Sequence, residues 1–183
     1  RRGAAAAAGW RVWPRRRGLV GPSLGVLLTI LGNGVLGGLA VRGDLHPSLV
    51  QSHFILAMLS IGFGLVAVHR SGPEPVWRST DIGVTPLVRG LFVALTVLVA
   101  AALVTGTVVT GAGPHAGDET ARRYGFDIST VAELHSITVW IALAIFLVLV
   151  VVLRRTPDLA ARFGGKLSTW MFIAVLQGGV GYV

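Results

Sequence analysis

Two histidines stand where helices entering lipid ordinarily carry Leu or Val. His53 lies in "SLVQSHFILAM" (Ser48 to Met58) and His135 in "STVAELHSITVW" (Ser129 to Trp140), each near the start of an apolar run. An ionisable side chain so placed points to function by default, and imidazole can remain there neutral. Two neutral imidazoles at one depth in a four-helix bundle suit the axial positions of a haem iron. A hydrogen bond between helices is the other reading, and the recurrence of the placement favours ligation. A ligating ring needs its second nitrogen oriented by an acceptor, for which Ser52, Glu133 and Ser136 are near in sequence.

The elements that must carry these rings are transmembrane helices. The chain of 183 residues is 53% hydrophobic and 13% charged, about half the charged fraction, roughly 25%, of a soluble domain. Spanning the hydrocarbon takes about 20 mostly apolar residues. Five segments qualify: Leu19 to Val41, Val50 to Val68, Leu87 to Gly111, Thr130 to Leu153 and Leu167 to Val183. The chain is therefore expected to be all-α, a polytopic membrane helical bundle forming one integral-membrane domain over residues 1–183. Pro47 suits the first turn of the second helix, and Thr130 with Glu133 reads as a capping box opening the fourth.

The net charge of +8 follows topology and not nucleic acid. With the N-terminus in the cytoplasm, 13 of the 16 basic residues lie inside, and only Arg42, Arg122 and Arg123 lie outside. The positive-inside rule then sets the last segment to end outside. With no cysteine, a disulfide or thiolate site is excluded, and no metalloprotease, phosphate-loop or dinucleotide signature occurs. "RRGAAAAAGWRVWPRRR" reads as the cytoplasmic end of an earlier helix, and the chain as a fragment of a longer protein.

The remaining histidines are less informative. His46 precedes Pro47 and reads as a turn residue. His69, 16 residues or about 24 Å from His53, reads as a solvated helix end beside Arg70. His115, in the turn-rich "TGAGPHAGD", is either a plain loop residue or a hydrogen-bonding group at the outer face. Arg122 and Arg123 could pair with haem propionates. Glu133 is assigned to the cap and not to catalysis.

An internal echo bears on the architecture. "NGVLG" (Asn33 to Gly37) and "QGGVG" (Gln177 to Gly181) both read amide, Gly, two residues, Gly, in helices of like direction. Small residues with an amide let membrane helices approach and bond. Taken as a repeat, they make the unit four helices, arranged in parallel copies. Each histidine then has a counterpart in a helix outside these 183 residues.

In order, "VLGGLAVRGDLHPSLVQSHFILAM", "LVTGTVVTGAGPHAGD", "DISTVAELH" and "LQGGVGYV" resemble haem A synthase of the actinobacterial type, from about Arg11 to Val183. The resemblance implies a parent of eight transmembrane helices in two pseudo-symmetric four-helix bundles, of which this chain holds the third to seventh. Residues 1–18 would be a cytoplasmic basic segment and the end of a preceding helix. Residues 19–69 would be the last two helices of the N-terminal bundle, and 87–183 the first three of the C-terminal one. The implied activity is oxidation of the haem O methyl group to the formyl group of haem A, for assembly of cytochrome oxidase. His135 would be an axial ligand of the haem b cofactor and His53 of the substrate haem O, with His115, Arg122 and Arg123 as outer-face haem contacts. Expected partners are haem O, haem O synthase and membrane lipid, with homo-oligomerisation left open and nucleic acid excluded. The expected location is the cell membrane, and the fragment alone is expected to be inactive. The sequence departs from the family at His46, where Asn is usual, and at Glu133, where Gln is common. A b-type electron-transfer cytochrome, using the same histidines without modifying haem, is the alternative; a membrane scaffold with histidines bonding only between helices is a third reading.

Overall fold

A computed structural model describes residues 17–72, 84–114 and 120–181. These form five helices and, among the described residues, no strand: α1 (Arg17–Arg42), α2 (Pro47–Ser71), α3 (Pro86–Ala112), α4 (Ile128–Arg154) and α5 (Pro157–Gly181). The protein is an all-α membrane helical bundle. The basic N-terminal segment, residues 1–16, lies outside the described residues.

The first four helices are long and apolar enough to cross a membrane. At 25 to 27 residues each they run to about 38–40 Å. Their outward surfaces are hydrocarbon: Val41 is 73% exposed, Val68 71% and Leu65 66%. Such continuous apolar surface is costly in water and neutral in lipid. The fifth predicted span differs. Helix α5 begins ten residues before Leu167, and that opening stretch carries Asp158, Arg162 and Lys166 at four-residue spacing. Among the described residues, α5 is not one of the helices that meet the criterion for spanning.

The chain divides into two compact units. The first holds α1, α2, the end of α3 from Leu103, the α3–α4 loop and the start of α4 to His135. Its α1–α2 pair is an antiparallel hairpin built on small residues. A methyl group added at Gly25 would lie 2.5 Å from the Phe63 ring, and one at Gly32 2.8 Å from Leu56 Cδ2. Backbones approach this closely only where side chains are missing, which is how helices associate in lipid.

The hairpin turn is short and sharp. Gly43 N–H donates to the Leu39 carbonyl at 2.8 Å and Leu45 N–H to the Ala40 carbonyl at 2.9 Å. Asp44 and Leu45 both take φ 52°, a left-handed conformation that costs a non-glycine residue about 1–2 kcal/mol. His46 caps α2, its Nδ1 accepting from Ser48 N–H, and Pro47 follows in the first turn, where its missing N–H is no loss. At the other end of the hairpin, Arg70 donates to the Gly18 carbonyl at 2.9 Å.

The second unit comprises Val76–Ala102 and Ser136–Val183. Its core is aliphatic: Val88, Leu149, Val150, Leu153, Leu159 and Leu167 are buried together. Leu159 and Leu167, eight residues apart on α5, are buried, while the residues just before them, Asp158 and Lys166, are exposed.

Candidate functional site

The sites of interest lie in the first unit. His53 is the seventh residue of α2 and His135 the eighth of α4, about 9 and 10.5 Å along their helices. Counted from their own helix starts, the two positions therefore differ by a single residue rise.

Each ring has the same kind of seat. His53 Nδ1 lies 3.1 Å from the backbone carbonyl oxygen of Asn33 on α1. In its turned orientation the Asn33 side-chain amide nitrogen also lies 3.2 Å from Nδ1, so the carbonyl asks for a proton on that nitrogen and the amide for a lone pair. The ring lies against Gly37, one turn beyond Asn33, where an added methyl group would be 3.3 Å from His53 Cε1. His135 Nδ1 lies 3.0 Å from the Thr105 hydroxyl on α3. Its ring lies against the next residue, Gly106, where a methyl group would be 3.1 Å from Cε1. A hydroxyl can donate or accept, so this bond is compatible with either tautomer. In both cases the preceding helix supplies a polar atom for Nδ1 and a glycine beside Cε1.

Asn33 also grips α2 through its side chain. With the amide nitrogen turned toward α2, it donates to the His53 carbonyl at 2.8 Å, and the amide oxygen accepts from Ala57 N–H at 3.1 Å. These atoms are the two ends of one turn of α2. Asn33 therefore fixes both the ring and the backbone of His53, as an interhelical amide does well in lipid.

The near-sequence acceptors expected for the histidines are not the ones used. Ser52 donates its hydroxyl to the Ser48 carbonyl at 2.7 Å, and the orienting atoms come from Asn33 and Thr105. The reason is geometric: residues one or two positions away on a helix do not share a face. The capping box is also displaced. Asp127, just before α4, accepts from Thr130 N–H at 2.9 Å and the Thr130 hydroxyl at 2.8 Å, and from the Ser129 hydroxyl. Helix α4 thus starts two residues earlier than the sequence predicts, with Thr130 in its first turn and Glu133 exposed.

A second polar group joins α2, α3 and the α3–α4 loop. Tyr124 donates its hydroxyl to Gln51 Oε1 at 2.7 Å. Gln51 Nε2 donates to the Thr107 hydroxyl at 2.9 Å and toward the Val104 carbonyl at 3.4 Å. The Tyr124 ring occupies space left by Gly111, where a methyl group would lie 2.8 Å from the ring and 3.1 Å from Pro47 Cβ. Burial pushes the Tyr124 phenol above its ordinary value, because the phenolate loses hydration there. Neither Gln51 nor Tyr124 stands out in the sequence, since a lone Gln in a helix and a Tyr in a loop carry no spacing signal.

Of the other predicted site residues, Arg122 is exposed and Arg123 half-buried, with Arg123 donating to the Pro114 carbonyl at 3.3 Å. His115 lies outside the described residues. His69 is exposed in the last turn of α2. Among the described residues, no three His, Cys, Asp or Glu side chains converge on a common point. A metal held by His53 or His135 would have to bring most of its other ligands, as a porphyrin iron does. An imidazole held through Nδ1 leaves its other nitrogen, Nε2, for that chemistry.

No family model, curated protein or solved structure matches the chain.

Proposed function

We propose that the chain is part of a haem-handling membrane oxidoreductase of the haem A synthase type. His135 is an axial ligand of a b-type haem cofactor, and His53 of the substrate haem O. The observation that carries the reading is the shared seat. Two histidines on different helices each have Nδ1 held from the preceding helix and a glycine beside Cε1.

The residues divide the work simply. Asn33 and Gly37 hold His53, while Thr105 and Gly106 hold His135, each through Nδ1, so that Nε2 is the nitrogen left to meet an iron. Arg122 and Arg123, with His115, are suited to haem propionates at the end carrying the α1–α2 and α3–α4 loops. Bound haem supplies the redox chemistry for oxidising the haem O methyl group. In this reading the loop end faces outside, the N-terminus is cytoplasmic, the location is the cell membrane, and haem O synthase is the donor partner.

The test is direct. Full-length protein purified in detergent should give a pyridine haemochrome spectrum, and His135→Ala should lose most of that haem. Membranes of cells lacking the gene, with no second copy, should lack haem A. A protein without haem sinks the reading. Haem bound but haem A unchanged in the deletion would mark a b-type electron-transfer cytochrome.

A further inference from the structure

The Gln51 group lies between the two histidine seats. On α2, Gln51 precedes His53 by two residues, so the two side chains leave the helix on different sides. His53 engages α1 and Gln51 engages α3. On α3, Thr105 and Gly106 hold His135, while the neighbouring Val104 carbonyl and Thr107 hydroxyl receive Gln51. A run of four α3 residues therefore touches His135 directly and the helix that carries His53 through the Gln51 amide.

The direction of every bond in this group is determined. The Thr107 hydroxyl donates to the Val104 carbonyl at 2.7 Å, so toward Gln51 it can only accept. The amide nitrogen of Gln51 must then face Thr107, its oxygen must face Tyr124, and the phenol must donate. Gln51, Thr107 and Tyr124 are each half-buried, where a bond lost is not fully replaced by water. Tyr124 is held on its own account, by Tyr124 N–H donating to the Gly111 carbonyl at 2.9 Å and by a ring contact with Phe126 at 5.4 Å. The loop residue thus arrives pre-set to orient the amide.

We propose that Gln51 is a positioning residue that joins the seats of His53 and His135, with Tyr124 fixing its amide, so that a change at either seat is felt at the other. The proposed roles of the histidines as haem ligands give the bridge its purpose, which is to hold a cofactor site and a substrate site in one register. The bridge itself is a statement about the protein alone.

Its test reads the imidazoles. Full-length protein labelled with ¹⁵N-histidine, reduced so that any haem iron is diamagnetic, is measured by solid-state NMR, with His53 and His135 signals assigned by difference from H53N and H135N. Gln51→Leu, made on the helix of His53, should move the ring nitrogens of His135. Thr107→Val, made on the helix that seats His135, should move those of His53. Tyr124→Phe should move both, and should add nothing in the Gln51→Leu background. If Gln51→Leu and Thr107→Val each move only the histidine on their own side, the bridge is overturned. Thr107→Val changes one hydroxyl to a methyl group and carries the test if Gln51→Leu does not insert. Absence of haem from the wild-type protein would defeat the proposed function while leaving this measurement intact.

Discussion

Arg70 supplies the hydrogen bond that Pro22 withholds. Proline has no N–H, so within α1 Pro22 cannot donate to the Gly18 carbonyl four residues back. The Arg70 guanidinium donates to that same carbonyl at 2.9 Å from the end of α2. In lipid a carbonyl left without a donor is costly, and a charged donor reaching across the hairpin is a sound replacement. Arg70→Met is expected to lower the stability of the hairpin by about 1 kcal/mol, near the low end for hydrogen bonds to charged groups because the site is exposed. Pro22→Ala restores the helical donor and should make Arg70→Met nearly neutral. A double-mutant cycle on thermal unfolding in detergent measures this, and an unchanged Arg70→Met cost in the Pro22→Ala background would refute it.

Gly106→Ala should displace His135 more than Gly37→Ala displaces His53. The added methyl group meets the imidazole at 3.1 Å in the first case and at 3.3 Å in the second. Overpacking of this kind costs about 1–3 kcal/mol, and here the strain falls on the ring. Gly62→Ala, which meets nothing within 4 Å, is the control and should stay within about 0.5 kcal/mol of wild type. Haem retention and melting temperature, measured together, should rank the three variants in that order.

The opening of α4 should loosen in acid. Asp127 is held below its usual carboxylate value by the Ser129 hydroxyl first, then by the Thr130 N–H and hydroxyl. The ionised form is favoured when the helix is formed, so its contribution is present above pH 3.8, the ordinary value, and is lost as pH falls through the lowered one. Amide exchange at Thr130 should therefore accelerate in that acid window. Asp127→Ala should exchange fast at neutral pH and show no such step.

The Tyr124 bridge should open in base. Its raised phenol favours the protonated form in the fold, so the contribution is complete below the ordinary value of 10.0 and is lost as pH rises through the raised one. A phenolate would also face Gln51 Oε1, acceptor against acceptor. Phenolate absorbance should show one tyrosine titrating late, and Tyr124→Phe should remove both that late titration and the accompanying loss of stability. Early titration of both tyrosines would count against the burial argument.

The helices were legible because lipid imposes a simple rule on sequence. The four long apolar runs appear within a few residues of their predicted bounds, and Pro47 sits at the start of α2 as expected. Where prediction missed, a short-range signal was ambiguous. In "DISTVAE" the Thr130–Glu133 spacing reads as the cap, but the Asp127 carboxylate, accepting three bonds, fixes the earlier start. The histidines were visible as polar residues in apolar runs, and Asn33 and Gly37 as part of a repeated pattern. That Asn33 seats His53 was not visible, because the contact spans 20 residues of chain and depends on how two helices rotate against each other. Thr105, Gly106 and the Gln51 group were hidden for the same reason.

The sharp turn at Gly43–His46 has a consequence for the order of events during synthesis. Asn33 and His53 fall on either side of that turn, so their seat needs nothing beyond the α1–α2 hairpin. The seat of His135 closes over 30 residues, between α3 and α4. A chain made from its N-terminus completes the first seat once two helices have entered the bilayer, before α3 exists. Time of emergence from the ribosome thus becomes a sequence of construction: one imidazole is ready while the helix that will hold the other is still unwritten in the membrane.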